Sequence, residues 1–288
     1  MTETAPAATA PEDTPPLTDW IGRTEQAVDT LDLRPAQQLA ATLPQATVPA
    51  SGAALPPLWH WGYFPQLTPI TDLGRDGHAL RGGFLPPVPL PRRMWAGGRF
   101  TFHGDLRLGD RVEKTSRILD VREKAGRSGR LCFVTVEHRF GVGGDLRLSE
   151  EHDIVYREDP APGVPAPTPP QADPAGIEET VTPSPVMLFR YSAITFNGHR
   201  IHYDRSYCRE VEGYPGLVFH GPLTATLLAD LARRTGGRDL ATFSFRAISP
   251  LLDTAPFTLR ARLTDAGAEV WAAGPDNALA MRAEAVYR

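Results

Sequence analysis

The residues with chemistry to offer crowd into positions 191–232. Tyr191-Ser-Ala-Ile-Thr-Phe-Asn-Gly-His-Arg-Ile-His-Tyr-Asp204 leads by a short loop to Gly213-Tyr-Pro-Gly-Leu-Val-Phe-His-Gly-Pro-Leu223. Three of the eight histidines, His199, His202 and His220, fall here. An unperturbed imidazole titrates near ~6.5, so it can pass protons at neutral pH. A polar, histidine-bearing loop that runs onto the start of a buried helix suits acid–base work. His202 is the candidate for handling the proton, with Asp204 to assist. Asn197 can hold a water or hydroxyl, because its amide both donates and accepts, but it cannot take a proton. Each of these residues also has a plain reading. Asn197-Gly198 is a good tight-turn dipeptide, and His202 can be a structural histidine. His220 can cap or pack at the helix start, and Asp204 can orient local backbone or Arg205. His199, His202, Asp204 and His220 also have the chemistry of metal ligands. Their spacing matches no strong zinc signature, and neither metal nor cofactor is expected.

The totals narrow the class. At 288 residues the chain holds one large domain or two ordinary ones, and 41% hydrophobic content fills real cores. A net charge of −4 gives no basic field for nucleic acid. Two cysteines far apart in sequence, Cys132 and Cys208, read as reduced thiols rather than a disulfide framework. The N-terminus has neither the basic region nor the apolar run of a signal peptide, and no stretch approaches the ~20 apolar residues of a membrane span. A cytoplasmic protein without membrane partners is the expectation.

The elements that must position the loop follow from pattern. Residues 1–16, with almost no large apolar group, read as a flexible tail. A helix is predicted over 29–43, with Pro35 in its first turn. Trp59, Trp61, Tyr63 and Phe64 read as core packing against a sheet. Strands are predicted over 99–103, 110–124, 131–140 and 146–156, with hairpin tips at 126–129 and 141–144. Cys132, Val134, Val136 and Phe140 share one face of the third. Residues 159–185, with nine prolines, read as a semi-rigid linker. Beyond it, 186–196 reads as a strand or an extended entry to the loop. Pro222 opens an apolar helix that runs to about Arg234 and stops at Gly236-Gly237. Strands around 242–246, 257–264 and 279–287 each carry one apolar face. One buried helix followed by a curled antiparallel sheet is the hot-dog arrangement, and the strands of the first half follow in the same order.

Positions 192–204 and 213–223 resemble the MaoC-like, (R)-specific enoyl-CoA hydratase family. Phe196-Asn-Gly-His-Arg-Ile-His-Tyr-Asp204, together with Gly82-Gly-Phe-Leu-Pro-Pro-Val-Pro-Leu-Pro-Arg-Arg-Met-Trp95, is similar to a narrower branch. That branch holds bacterial mesaconyl-CoA (3-methylfumaryl-CoA) hydratases and mitochondrial 3-hydroxyacyl-thioester dehydratases of type 2. The resemblance covers most of residues 17–288. It implies an α+β double hot dog, two antiparallel sheets each wrapped around a central helix, the first degenerate. The implied units are 17–158, similar to FAS1-type dehydratases, and 186–288, MaoC-like and catalytic. It also implies a hydro-lyase, most directly one converting mesaconyl-CoA to citramalyl-CoA. A 3-hydroxyacyl-thioester dehydratase of fatty-acid metabolism is the alternative. A thioesterase or a non-catalytic acyl-CoA binder on the same fold is the alternative of another class.

Under this resemblance His202 takes the place of the catalytic histidine, and Asn197 that of the family's acid. The backbone N–H groups of Gly221 and Leu223, unpaired in the first helical turn, can polarise the thioester carbonyl. The substrate is an acyl-CoA or acyl-carrier-protein thioester, and a homodimer is a further expectation. Arg92, Arg93, Trp95, Arg200 and Arg205 are the substrate-binding candidates, and Arg127 and Arg190 are further cations. The sequence does not choose which arginine meets a substrate carboxylate or a CoA phosphate.

Overall fold

A computed structural model describes residues 15–126, 129–159 and 167–288. The predicted tail up to residue 14, the middle of the 126–129 tip with Arg127, and residues 160–166 of the predicted linker lie outside the described residues. In chain order come β1 (Thr24–Thr30), α1 (Leu33–Ala40), β2 (Arg92–Phe102), β3 (Arg111–Gly126), β4 (Gly129–Val142), β5 (Asp145–Arg157) and β6 (Ile177–Val181). Then follow α2 (Pro185–Ile194), α3 (Arg205–Glu210), α4 (Gly221–Gly236), β7 (Leu240–Ala247), β8 (Phe257–Leu263), β9 (Gly267–Ala273) and β10 (Leu279–Tyr287).

The strands form one ten-stranded sheet in the order β1-β3-β4-β5-β2-β7-β10-β9-β8-β6. Five strands come from each half of the chain, and the halves join where β2 pairs antiparallel with β7. The join depends on Gly97 and Gly98. A Cβ on Gly97 would lie 2.7 Å from the Phe245 carbonyl oxygen, and one on Gly98 would lie 2.9 Å from the Phe245 ring. A side chain at either place would hold the two backbones apart.

The second half wraps α4. Nine of its residues are buried, Leu223, Leu228 and Leu231 completely. Each such leucine contributes roughly 1.5–3 kcal/mol by leaving water. Ala261, Ala268, Ala272, Ala283 and Ala285 floor the sheet beneath with small side chains, so the helix can approach it closely. Pro222 in the first turn and a left-handed Gly237 at the end bound α4, as its sequence predicts.

Among the described residues of the first half no long helix takes that place. The eight-residue α1 and a 3-10 turn at Trp59–Gly62 cover the sheet instead. Trp59 and Tyr63 are buried, so these aromatics are core.

Three expectations are corrected. The helix predicted over 29–43 is confined to Leu33–Ala40, and Asp29 and Thr30 end β1. Where a strand or extended entry is predicted over 186–196, Pro185–Ile194 forms a helix: Ser184 accepts from Met187 N, and Pro185 sits at the first helical position. Ile177–Val181, inside the predicted linker, is an edge strand paired with β8.

Candidate active site

The site is built on the connection from α2 to α4. Phe196, with φ of 51°, turns the chain at the end of α2. A left-handed backbone at a bulky residue costs of order 1–3 kcal/mol, and such strain collects at functional loops. The turn lets Asn197 N reach the Ser192 carbonyl at 2.8 Å. The Asn197 Oδ1 then accepts from His199 N at 3.0 Å, so the predicted turn role is real. A 3-10 turn at Arg200–His202 follows.

His202 is 6% exposed. Its Nδ1 lies 2.8 Å from the Val218 carbonyl oxygen, while Val218 N donates back to the Ile201 carbonyl at 2.9 Å. A carbonyl only accepts, so Nδ1 carries the proton and Nε2 keeps its lone pair. That Nε2 makes no hydrogen bond among the described residues and is not enclosed by protein atoms. His202 stacks on His220, centroids 3.7 Å apart and planes 18° from parallel. His220 is fully buried, forms the N-cap of α4 and bonds Ser192 Oγ through Nε2 at 2.9 Å. Its structural role is thus to back the His202 ring and mark the helix start. Gly221 comes next, and nothing lies within 4 Å of where its Cβ would be. There is thus room beside the backbone at the start of α4, next to the His220 ring on which His202 stacks.

Burial holds the His202 imidazole neutral, its pKa lowered to about 4 despite the Val218 bond that favours the charged form. A base must be unprotonated to act, so acid removes its activity. The kcat/KM of a reaction that uses this base should stay level from about pH 8 to about 5 and fall with a midpoint near 4. A limb near the ordinary imidazole value of 6.5 would show a solvated ring instead.

A second contribution comes from the first half. His78, in the loop before β2, lies 4.2 Å from His199 between ring centroids, and His199 lies 5.3 Å from His202. His78 Nδ1 bonds Asp76 Oδ2 at 2.9 Å. Burial resists the charge on Asp76, but the His78 bond outweighs it and holds the carboxyl below its usual range. Asp76, His78 and His199 each bring one ligating atom to within 4.8 Å of the others, a set that could hold a metal ion. The carboxylate of that set is already satisfied by His78, so the group is complete as a hydrogen-bonded dyad.

The other residues read from the sequence sort clearly. Asp204 is not brought to the cluster. It caps α3 through Tyr207 N at 3.0 Å and pairs with Arg200 at 2.7 Å on the surface, so its expected help to His202 is corrected. Arg205 pairs with Asp253. Arg92 pairs with Asp159 and Glu212. Arg190, on α2, bonds the Ala41 carbonyl. Trp95 packs among His152, Trp61 and Phe245 rather than facing open space. Leu223 is buried in the first turn of α4. Arg93 makes no ion pair with a carboxylate among the described residues, and its charge reaches both His78 and His199. The set His199, His202, Asp204 and His220 loses its carboxylate, since Asp204 is engaged by Tyr207 N and Arg200.

Sequence reasoning missed Asp76 and His78. Their only local signal is Gly74-Arg-Asp-Gly-His78, a polar turn where Asp76 Oδ1 accepts from His78 N at 3.1 Å. It also missed a buried polar group in the first half. Glu150 on β5 receives His60 Nε2 at 2.8 Å and Trp61 Nε1–H at 3.2 Å, with His152 Nε2 at 3.0 Å. His138 beside it bonds Ser116 at 2.8 Å. The signal was available: by alternation Glu150 and His152 sit on the inner face with Leu148 and Tyr156, and His138 with Val136 and Phe140.

Comparison with known proteins bears on all of this. The profile described as hydroxyacyl-thioester dehydratase type 2 matches residues 58–253. Over 267 residues, 92% of this chain and 95% of the relative, the sequence is 51% identical to the mesaconyl-C(4)-CoA hydratase of Chloroflexus aurantiacus. It is 27% identical over 263 residues, 80% of this chain and 87% of the other, to the mitochondrial hydroxyacyl-thioester dehydratase type 2 of Schizosaccharomyces pombe. Among solved structures, HtdX of Mycobacterium tuberculosis matches with a TM-score of 0.66 at 19% identity, covering 91% of this chain and 99% of that one. A conserved hypothetical protein of the same organism, described as a double hot dog, matches with a TM-score of 0.56 at 15% identity, covering 93% and 96%. These structures carry the fold, which is a double hot dog.

Proposed function

We infer the reaction of this chain from its family: it belongs to the hydroxyacyl-thioester dehydratase type 2 family and is a hydratase/dehydratase, a carbon–oxygen lyase acting on acyl thioesters. In this reading it hydrates mesaconyl-CoA to citramalyl-CoA, the substrate named for its relative from Chloroflexus aurantiacus. The observation that carries the site assignment is the unbonded Nε2 of His202, stacked on the N-cap residue of α4 with open space at Gly221. The thioester oxygen lies against Gly221, where backbone donors meet the charge that develops on it. His202 Nε2 takes a proton from water, the oxygen bonds the β-carbon, and the same proton goes to the α-carbon. The free carboxylate of mesaconyl-CoA meets Arg93, which, unlike Arg92, Arg200 and Arg205, has no carboxylate partner among the described residues and whose charge reaches His78 and His199.

Coenzyme A is the carrier in this reading, as in the name of the relative from Chloroflexus aurantiacus, and acyl-carrier-protein thioesters are the alternative. No described helix is long and apolar enough to cross a membrane. The proposed location is the cytoplasm, where the unpaired, buried Cys132 and Cys208 stay reduced. Association as a homodimer belongs to the same proposal.

The experiment is loss of the enoyl-thioester absorbance with mesaconyl-CoA and with crotonyl-CoA, which lacks the second carboxylate. Mesaconyl-CoA should be preferred about tenfold or more in kcat/KM, and Arg93→Ala should remove the preference. Equal turnover of both substrates would move the chain to fatty-acid metabolism. Release of free thiol without hydration would make it a thioesterase.

A further inference from the structure

The loop before β2 brings a second imidazole onto the site, and its docking is built into the backbone. Arg200 N donates to the Asp76 carbonyl at 2.9 Å. A Cβ on Gly77 would run into the Gly198 carbonyl, and one on Gly198 would lie 2.8 Å from the Gly77 carbonyl oxygen. Only glycine at both places permits this approach. The loop of the first half is thereby fixed against the turn that carries His202.

Within the loop, Asp76 takes His78 Nδ1 on Oδ2 at 2.9 Å and His78 N on Oδ1 at 3.1 Å. The ionised carboxylate only accepts, so the proton sits on Nδ1 and the lone pair of His78 on Nε2. Nε2 makes no hydrogen bond among the described residues and is not enclosed. The same holds for His202 Nε2, with Val218 in the part of Asp76. His199 touches both rings, 4.2 Å from His78 and 5.3 Å from His202 between centroids. Two imidazoles from opposite halves of the chain, each with its tautomer set by an acceptor and its Nε2 unbonded among the described residues, thus pack against the same His199 ring, near enough that charge on His78 is felt at His202. Position 197, where the resemblance expects an acid, holds an amide whose oxygen is committed to His199 N. The place of a second acceptor for the water is left open on that side.

We propose that His78 fills it as a catalytic residue, holding the attacking water by the hydrogen that His202 does not take, with Asp76 as its positioning residue. This rests on the hydration reading above. One O–H bond of the water breaks as its proton passes to His202 Nε2, and the C–O bond forms at the β-carbon. The π pair moves onto the thioester as an enolate. That pair then forms the α C–H bond with the proton on His202. His78 accepts a hydrogen bond throughout and ends in the state in which it began, so no co-reactant is needed.

The test is steady-state hydration by the full chain. His78→Ala should lower kcat about 30- to 100-fold with KM within about threefold, the signature of lost orientation rather than lost binding. His78→Gln, which keeps an acceptor oxygen, should retain a larger share, and added imidazole should restore part of the His78→Ala activity. Asp76→Asn should lower kcat about tenfold, because an amide no longer forces the proton onto Nδ1. Circular dichroism checks the fold of each variant, and the Gln variant decides if the Ala variant does not fold. A kcat within about twofold of wild type in the His78 variants, with His202→Ala inactive, overturns the proposal and leaves the family reaction standing. Wild-type enzyme without hydration overturns the reading beneath it. A tightly bound metal whose removal by chelator abolishes activity also overturns it, since Asp76, His78 and His199 would then be its ligands.

Discussion

His202→Ala should lower kcat for hydration by about 10²–10⁴-fold, the range for a lost general acid–base group, while the far-ultraviolet circular dichroism stays that of wild type. The size follows from the step assigned to this ring, which both removes the proton from water and returns it to carbon. Three neighbouring groups are not able to replace it. Asp204 is engaged by Arg200 and Tyr207 N, and Asn197 cannot accept a proton. The His220 ring lies flat behind it with Nε2 on Ser192. The fold should survive, because the ring's polar tie is one bond to Val218 and the loop keeps its own backbone bonds. Activity within about threefold of wild type would remove His202 from the mechanism.

The second large effect is on stability. Glu150→Gln keeps the side-chain shape and removes the charge. Glu150 is 2% exposed, and burial opposes its ionisation; the neighbouring His152 and His60 nevertheless hold it well below the usual carboxylate range. Its two oxygens meet His60, Trp61 N–H and His152, and its charge supports the buried ammonium of Lys114. Removing one partner from a buried charged network leaves the others uncompensated, which costs about 3–5 kcal/mol. Urea unfolding of the two proteins reads the difference directly. A loss under about 1 kcal/mol would mean that the carboxylate is not the centre of this group.

The second half of the molecule was the more readable. Its strands alternate cleanly, and α4 is bounded by a proline and a glycine, so pattern and backbone agree. The α2 helix was harder because its polar face is missing: Val186 and Phe189 are exposed apolar residues, and a continuous apolar run reads as strand or helix alike. The cap at Ser184-Pro185 decides it. β6 hides because five residues in a proline-rich stretch become a strand only by pairing with β8. His202 and Asn197 stood in the sequence through their motif. Asp76 and His78 did not, because their relation to His202 is a tertiary contact between halves that no local period encodes. Glu150 shows the opposite lesson: a charge on the apolar side of an alternating strand announced a buried network, and the alternation had to be followed through every residue to see it.

The strand order also bears on how the chain comes to its shape during synthesis. β10 is the last strand of the sheet to be made, yet it sits between β7 and β9 in the interior of the second half. Until it exists those neighbours cannot be bridged, and the oily helix they enclose stays open to water. A nascent chain stalled before residue 279 therefore displays the kind of sticky surface that chaperones take up.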